Sequence, residues 1–161
     1  MAGAKTWLVM GAFVGAMAVA FGAFGAHSLP QFFEAMEFTL SEREKGLRNW
    51  ETAAQYQMYH AIALIALGLY ASKFPGLLPT LAGYSFFFGQ LIFSGLLYAL
   101  VLSKVTILGA IVPIGGTLMI VGWVLFGIAA WRNTEVATTQ PLSSKPEVPP
   151  KEELAPSEAT A

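Results

Sequence analysis

Trp50 to His60 reads W-E-T-A-A-Q-Y-Q-M-Y-H and runs without a break into an apolar segment that continues to Tyr70. At roughly 100° per residue, Thr52, Gln55, Tyr56, Tyr59 and His60 share one face of a helix, with Gln57 at its edge. A polar stripe on so apolar a helix cannot point into acyl chains, because side-chain donors and acceptors facing hydrocarbon lose their water partners without replacement. It has to look into a bundle or a wet cavity, so the remaining segments are expected to enclose it.

Composition agrees with a bilayer environment. Of 161 residues, 55% are hydrophobic and only 12% charged, and the mean hydropathy is +0.59. Four windows are free of Asp, Glu, Lys and Arg: Thr6 to Phe33, Thr52 to Ser72, Phe74 to Ser103 and Val105 to Trp131. Crossing the hydrocarbon takes about 20 mostly apolar residues, so each window holds one helix. The fold class expected is all-α: an integral membrane four-helix bundle in residues 1–132, with spans at about 7–26, 52–71, 81–102 and 107–131. A formal net charge of −1 with no basic cluster excludes an electrostatic footprint for nucleic acid. The absence of cysteine removes disulfides, thiolate chemistry, iron–sulfur clusters and Cys-ligated zinc.

In the first window Gly11, Gly15, Ala18, Gly22 and Gly25 recur at spacings of three and four, which predicts a smooth face for close helix packing. The apolar run is too long for a signal-peptide core, so the segment is expected to be retained. Pro30 disfavours helix at Leu29, which ends the span near His27. Between Ser28 and Glu51, Phe32, Phe33, Met36, Phe38 and Leu40 suggest a short amphipathic helix on the membrane surface. Ser41 opens S-E-R-E, a capping-box pattern for a helix that runs on into Trp50. The third window carries Gln90, Ser94 and Tyr98 at steps of four, on one face that should meet the polar face of the second. In the fourth, Pro113, Gly115 and Gly116 fall inside the span; proline frees the carbonyl of Gly109, and a packing kink is the expected use. From Asn133 to Ala161 the chain turns to Thr, Ser, Pro, Glu and Lys, a composition expected to be disordered. Lys and Arg divide almost evenly between the two sides, so orientation is not encoded.

G-A-F-G-A-H at 22–27, W-E-T-A-A-Q-Y-Q-M-Y-H-A at 50–61, F-S-G-L-L-Y at 93–98, and P-I-G-G at 113–116 followed by Gly122 and Trp123 occur in unbroken order. In these motifs the chain resembles the YgdD/YwdK family of small membrane proteins, over about Trp7 to Trp131. The resemblance implies a four-span protein of the bacterial cytoplasmic membrane and brings no established activity. The first connection and the tail depart from the family pattern.

The candidate polar intramembrane site comprises His27, Glu51, Gln55, Tyr56, Tyr59, His60, Gln90, Ser94 and Tyr98. His27 and His60 lie toward one membrane face, which raises a bis-histidine haem site, but at 1.5 Å per residue His60 falls roughly 10 Å below the rim where His27 sits. No HxxxH or ExxH spacing supports a metal. No cofactor, metal or catalytic residue is expected. Three function classes remain open: a structural, assembly or accessory factor, which is the reading adopted; a small-solute or proton transporter or channel using His60; and a haem- or quinone-binding subunit. The expected partners are the lipid bilayer and a second copy or another membrane protein.

Overall fold

The computed structural model describes residues 3–139, with side chains to Asn133. Its described residues form five helices and no strands. Helix α1 spans Ala4–His27, α2 Leu29–Ala35, α3 Leu40–Lys73, α4 Leu77–Ser103 and α5 Leu108–Thr139. Three of them, α1, α4 and α5, are long and apolar enough to cross a membrane by length and composition. Helix α3 falls short of that composition because its charged first turns and the polar residues Gln55 to His60 dilute its apolar half.

The helix boundaries follow local chemistry. Pro30 stands in the first turn of α2, where its missing N–H costs nothing, and the chain breaks at Ser28 between α1 and α2. Glu37, with φ 51°, then turns the chain back so that the Phe38 amide donates to the Phe33 carbonyl at 2.9 Å. The capping box of α3 is built two residues earlier than the S-E-R-E pattern predicts. The Thr39 hydroxyl accepts from the Glu42 amide at 3.4 Å, and the Glu42 carboxylate accepts from the Thr39 amide at 2.8 Å. From there α3 runs unbroken for 34 residues, about 51 Å. Lys104, left-handed at φ 59°, closes α4.

Helix α2 does not present its apolar residues to a membrane surface. Leu29, Phe33 and Phe38 fold inward and pack with Trp50, Ala53, Leu97, Tyr98, Val101 and Val112. Only Met36 and Leu40 of the expected apolar set stay exposed, with Phe32 partly buried. Gly46 makes room for this: a Cβ there would stand 2.7 Å from the Phe33 ring. Burial against α3 and α4 removes the same apolar area that a membrane surface would have covered.

Helix α1 packs along α3, α5 along α4, and the two pairs meet through α3 and α4. Both pairs approach to backbone distance at a glycine. A Cβ on Gly11 would lie 2.8 Å from the Ala61 carbonyl, and one on Gly115 would lie 2.5 Å from the Phe93 amide nitrogen and 2.7 Å from the Gly89 carbonyl. The expected stripe on α1 is thus only partly a contact face. Gly25 holds the edge of the Trp50 ring, Gly15 makes ordinary contact with Ala61, and Gly22 has open space beside it. Likewise Gly116 merely borders the Phe93 ring at 3.8 Å, while Gly115 carries the close approach. Pro113 lies inside α5, with the Thr117 hydroxyl donating to its carbonyl at 3.0 Å. Helix α5 extends to Thr139, so the start of the expected tail is helical; the rest of that tail lies outside the described residues.

Two apolar cores result. One gathers at the α2 end as given above; the other joins Trp7, Ala63, Leu64, Leu67, Ala82 and Phe86 at the opposite end. Between them, on α3 and α4, lie the buried polar residues Gln57, His60, Gln90 and Ser94. Because α3 and α4 run antiparallel, the order 53, 57, 60, 63 on one matches 97, 94, 90, 86 on the other, and the polar residues form a layer.

Candidate functional site

The polar layer is built from bonds that cross between helices. Gln57 is its centre: its side-chain amide donates to the Val14 carbonyl on α1 at 3.2 Å and accepts from the Tyr98 hydroxyl on α4 at 2.9 Å. One turn away, the Ser94 hydroxyl donates to the Ala53 carbonyl at 2.8 Å. Trp50, one turn outward, donates from its indole to the Phe21 carbonyl on α1 at 2.7 Å, and its ring packs against Tyr98. A long polar side chain reaches across a helix interface more cheaply than backbone can rearrange, and an acceptor carbonyl has a second lone pair to offer. Helices α1 and α4 are therefore both tied to α3 within two turns.

His60 is 4% exposed and enclosed by Phe86, Trp123 and Tyr56. Its Nδ1 lies 2.8 Å from the Tyr56 carbonyl. A carbonyl only accepts, so Nδ1 carries the hydrogen and Nε2 of the neutral ring is left with a bare lone pair. That atom is buried without a hydrogen-bond partner, as is the indole nitrogen of Trp7. Gln90 is buried on the same α4 face, yet no hydrogen bond joins it to the layer among the described residues.

The other residues read as site candidates lie elsewhere. Tyr56 and Tyr59 are 39% and 52% exposed; the Tyr56 ring packs against His60 and Phe93, and neither hydroxyl joins the layer's hydrogen bonds among the described residues. Glu51 and Gln55 are exposed and line a groove of about 470 Å³ between the end of α1 and α3, beside Gly22 and Trp50. His27 is exposed at the end of α1, and no contact joins it to His60 among the described residues. The face of Gln90, Ser94 and Tyr98 does meet α3, with Ser94 and Tyr98 bonded to it, but the α3 side chain at the centre is Gln57, which the helical wheel puts at the edge of the stripe, and not Tyr56 or Tyr59. The stripe is wider than the interface, so its outer half turns away when α3 rotates to pack Ala53, Gln57, Ala61 and Leu64 inward. No group of three or more His, Cys, Asp or Glu placed to hold a metal occurs among the described residues.

Tyr70 escapes the sequence reading. Its hydroxyl donates to the Ala129 carbonyl at 2.6 Å and accepts from the Asn133 amide, tying α3 to α5 at the opposite end of the bundle. Trp50 and Tyr70 bracket the apolar segment of α3 twenty residues apart, which is the pattern that could have singled them out.

At the α2 end, charges gather on α2, on the first turns of α3 and just past α4. Glu34 pairs with Arg43 at 3.6 Å, Glu44 with Arg48 at 3.8 Å and Glu42 with Lys104 at 3.9 Å. The Thr39 amide and then the Thr39 hydroxyl, with Lys104 in support, hold the Glu42 carboxyl below its ordinary range.

Among known proteins, the chain is similar to UPF0382 membrane protein SERP0230 of Staphylococcus epidermidis, 44% identical over 125 residues that cover 78% of this chain and 94% of the relative. It is 41% identical over 128 residues to UPF0382 membrane protein SSP2132 of Staphylococcus saprophyticus, covering 80% and 98%. UPF0382 membrane protein YwdK of Bacillus subtilis is 39% identical over 127 residues, covering 78% and 96%. No solved structure matches. The family model described as a protein of unknown function (DUF423) matches residues 21–116, which takes in the end of α1, all of α2, α3 and α4, and the glycine contact of α5. With that match and these relatives, the chain belongs to the DUF423 family and is a membrane protein.

Proposed function

We propose that this is a four-span integral membrane protein of the bacterial cytoplasmic membrane with a structural, assembly or accessory role and no catalytic step of its own. The fourth span is α3. It keeps register with α1 from the Trp50–Gly25 contact to the Gly68–Ala4 contact, 18 and 21 residues apart, or roughly 27 to 32 Å of helix. A helix laid against a spanning neighbour over that length crosses the same hydrocarbon.

The observation that carries the structural role is where the polar layer spends its bonds. Gln57, Ser94, Trp50 and Tyr98 each bond a backbone carbonyl or side chain of a neighbouring helix. Such groups fasten helices in a medium that supplies no hydrophobic drive between them. A conducting path needs polar groups that exchange partners, whereas these are held by packed neighbours.

One observation favours a second reading. The bare Nε2 of His60 is what a proton relay or a bound solute would use. Reconstituted protein in liposomes separates the two. The structural reading expects no proton or small-solute flux above empty vesicles, and co-purification with other membrane proteins in mild detergent. Flux that His60→Ala abolishes while the helical circular dichroism survives would replace it with the transport reading. A visible absorption band in the purified protein would favour a haem-binding subunit instead.

A further inference from the structure

At the α2 end a cavity of about 140 Å³ opens between the start of α3 and the end of α4. Its polar lining is Lys45, Asn49, Lys104, Thr106 and Glu42. Lys104 is already placed, its ammonium 3.8 Å from the centre of the Phe38 ring and 3.9 Å from Glu42. Glu42 is in turn occupied by the Thr39 amide and hydroxyl. The remaining donors are exposed or half-buried. Lys45 pairs with no carboxylate among the described residues, and the side chains of Asn49 and Thr106 make no hydrogen bond there. Two ammonium groups against one carboxylate leave a single net positive charge.

Height decides what that charge meets. Helix α4 has 27 residues, about 40 Å, which exceeds the roughly 30 Å of hydrocarbon by three or four residues at each end. Leu100 and Val101, which floor the cavity, therefore sit at the hydrocarbon edge, and Lys104 lies about 4.5 Å beyond Val101's level, toward the lipid phosphates. This placement rests on the reading of α4 as a membrane span.

We propose that the cavity is a binding site for one phosphate group, held by Lys45, Lys104, Asn49 and Thr106, and that its usual occupant is the phosphodiester of an anionic phospholipid. The ammonium groups offset its charge, and the amide and hydroxyl donate to its oxygens. A lipid whose headgroup carries no cation leaves the site neutral; one with a cationic headgroup has only the already occupied Glu42 to receive it. The acyl chains continue from the apolar floor along the outside of α4.

The test uses the full chain, delipidated in mild detergent and followed by native mass spectrometry. It is titrated separately with phosphatidylglycerol, phosphatidylcholine and inorganic phosphate. One phosphatidylglycerol per chain is expected, roughly fivefold tighter than phosphatidylcholine, which is the effect of one basic residue at an anionic surface. Lys45→Gln should lose that preference and Lys45→Arg keep it. Lys45 is exposed and pairs with no carboxylate among the described residues, so its replacement leaves the packing intact. Lys73→Gln, at the far end of α3, should change nothing. Equal retention of the two lipids, or Lys45→Gln indistinguishable from the parent chain, would overturn the proposal, as would an equal loss in Lys73→Gln. Displacement by millimolar inorganic phosphate would uphold the phosphate chemistry and assign it to a soluble source. Alkaline carbonate extraction of the same membranes checks the span reading separately: release of the protein removes both readings, and retention without lipid preference removes the site alone.

Discussion

Replacing Gln57 by Ala removes the one side chain that, among the described residues, bonds both α1 and α4. Two bonds are lost, to the Val14 carbonyl and from the Tyr98 hydroxyl. Interhelical side-chain hydrogen bonds in membranes contribute about 0.6 kcal/mol each. The Val14 carbonyl is left with its helical partner and suffers little. The Tyr98 hydroxyl, 7% exposed as a residue, is left without an acceptor, and a small cavity opens beside it. Those two effects together add roughly 1 kcal/mol, for a total near 2 kcal/mol. Reversible unfolding in mixed micelles, driven by increasing sodium dodecyl sulfate, reads this difference. Tyr98→Phe supplies the second arm of a double-mutant cycle, and the coupling between the two changes should be about 0.6 to 1 kcal/mol. Gln57→Ala within about 0.5 kcal/mol of the parent chain, or a coupling of zero, would refute the claim that this residue fastens the bundle.

Other substitutions probe the remaining contacts. Gly115→Ala should cost about 1 to 3 kcal/mol in the same assay, because the new Cβ meets the backbone of Phe93 and Gly89, while Gly22→Ala should be nearly silent. Tyr70→Phe removes the tie from α3 to Ala129 and one of the two acceptors of the Asn133 amide, which keeps its bond to the Ala129 carbonyl, and should lower stability by about 1 kcal/mol without disturbing the α1–α3 pair, as crosslinking between cysteines at 15 and 58 would report. Glu42 titrates below its ordinary value of about 4.3 in the fold, so its contribution is fully present above that pH and is lost as pH falls through the lowered value. Protection factors for hydrogen exchange at the start of α3, with the intrinsic pH dependence of exchange divided out, should therefore fall on acidification in the parent chain. In Glu42→Gln that pH dependence should be gone; its persistence would assign the effect to another carboxylate.

The sequence by itself determined the helices and their order. Charge-free windows and the proline and glycine breaks around Ser28, Pro75 and Lys104 are local properties, and the helix ends fall close to where they place them. The four-step spacing of Gln90, Ser94 and Tyr98 was likewise legible, since all three are buried on one face of α4. Rotation about each helix axis was decided by the tertiary structure alone. A stripe as wide as Gln55 to His60 can turn either half inward. Close approach at Gly11 and Gly68 on the α1 side, and the fit of Ala53 and Leu64 against α4, chose the half that buries Gln57 and leaves Tyr59 outside. The fate of α2 was decided the same way. Its phenylalanines carry the same periodicity whether they meet a membrane or a core, and only the room beside Gly46 and the turn at Glu37 send Phe33 and Phe38 into the protein. Periodicity reports which residues share a face; what covers that face depends on neighbours far along the chain.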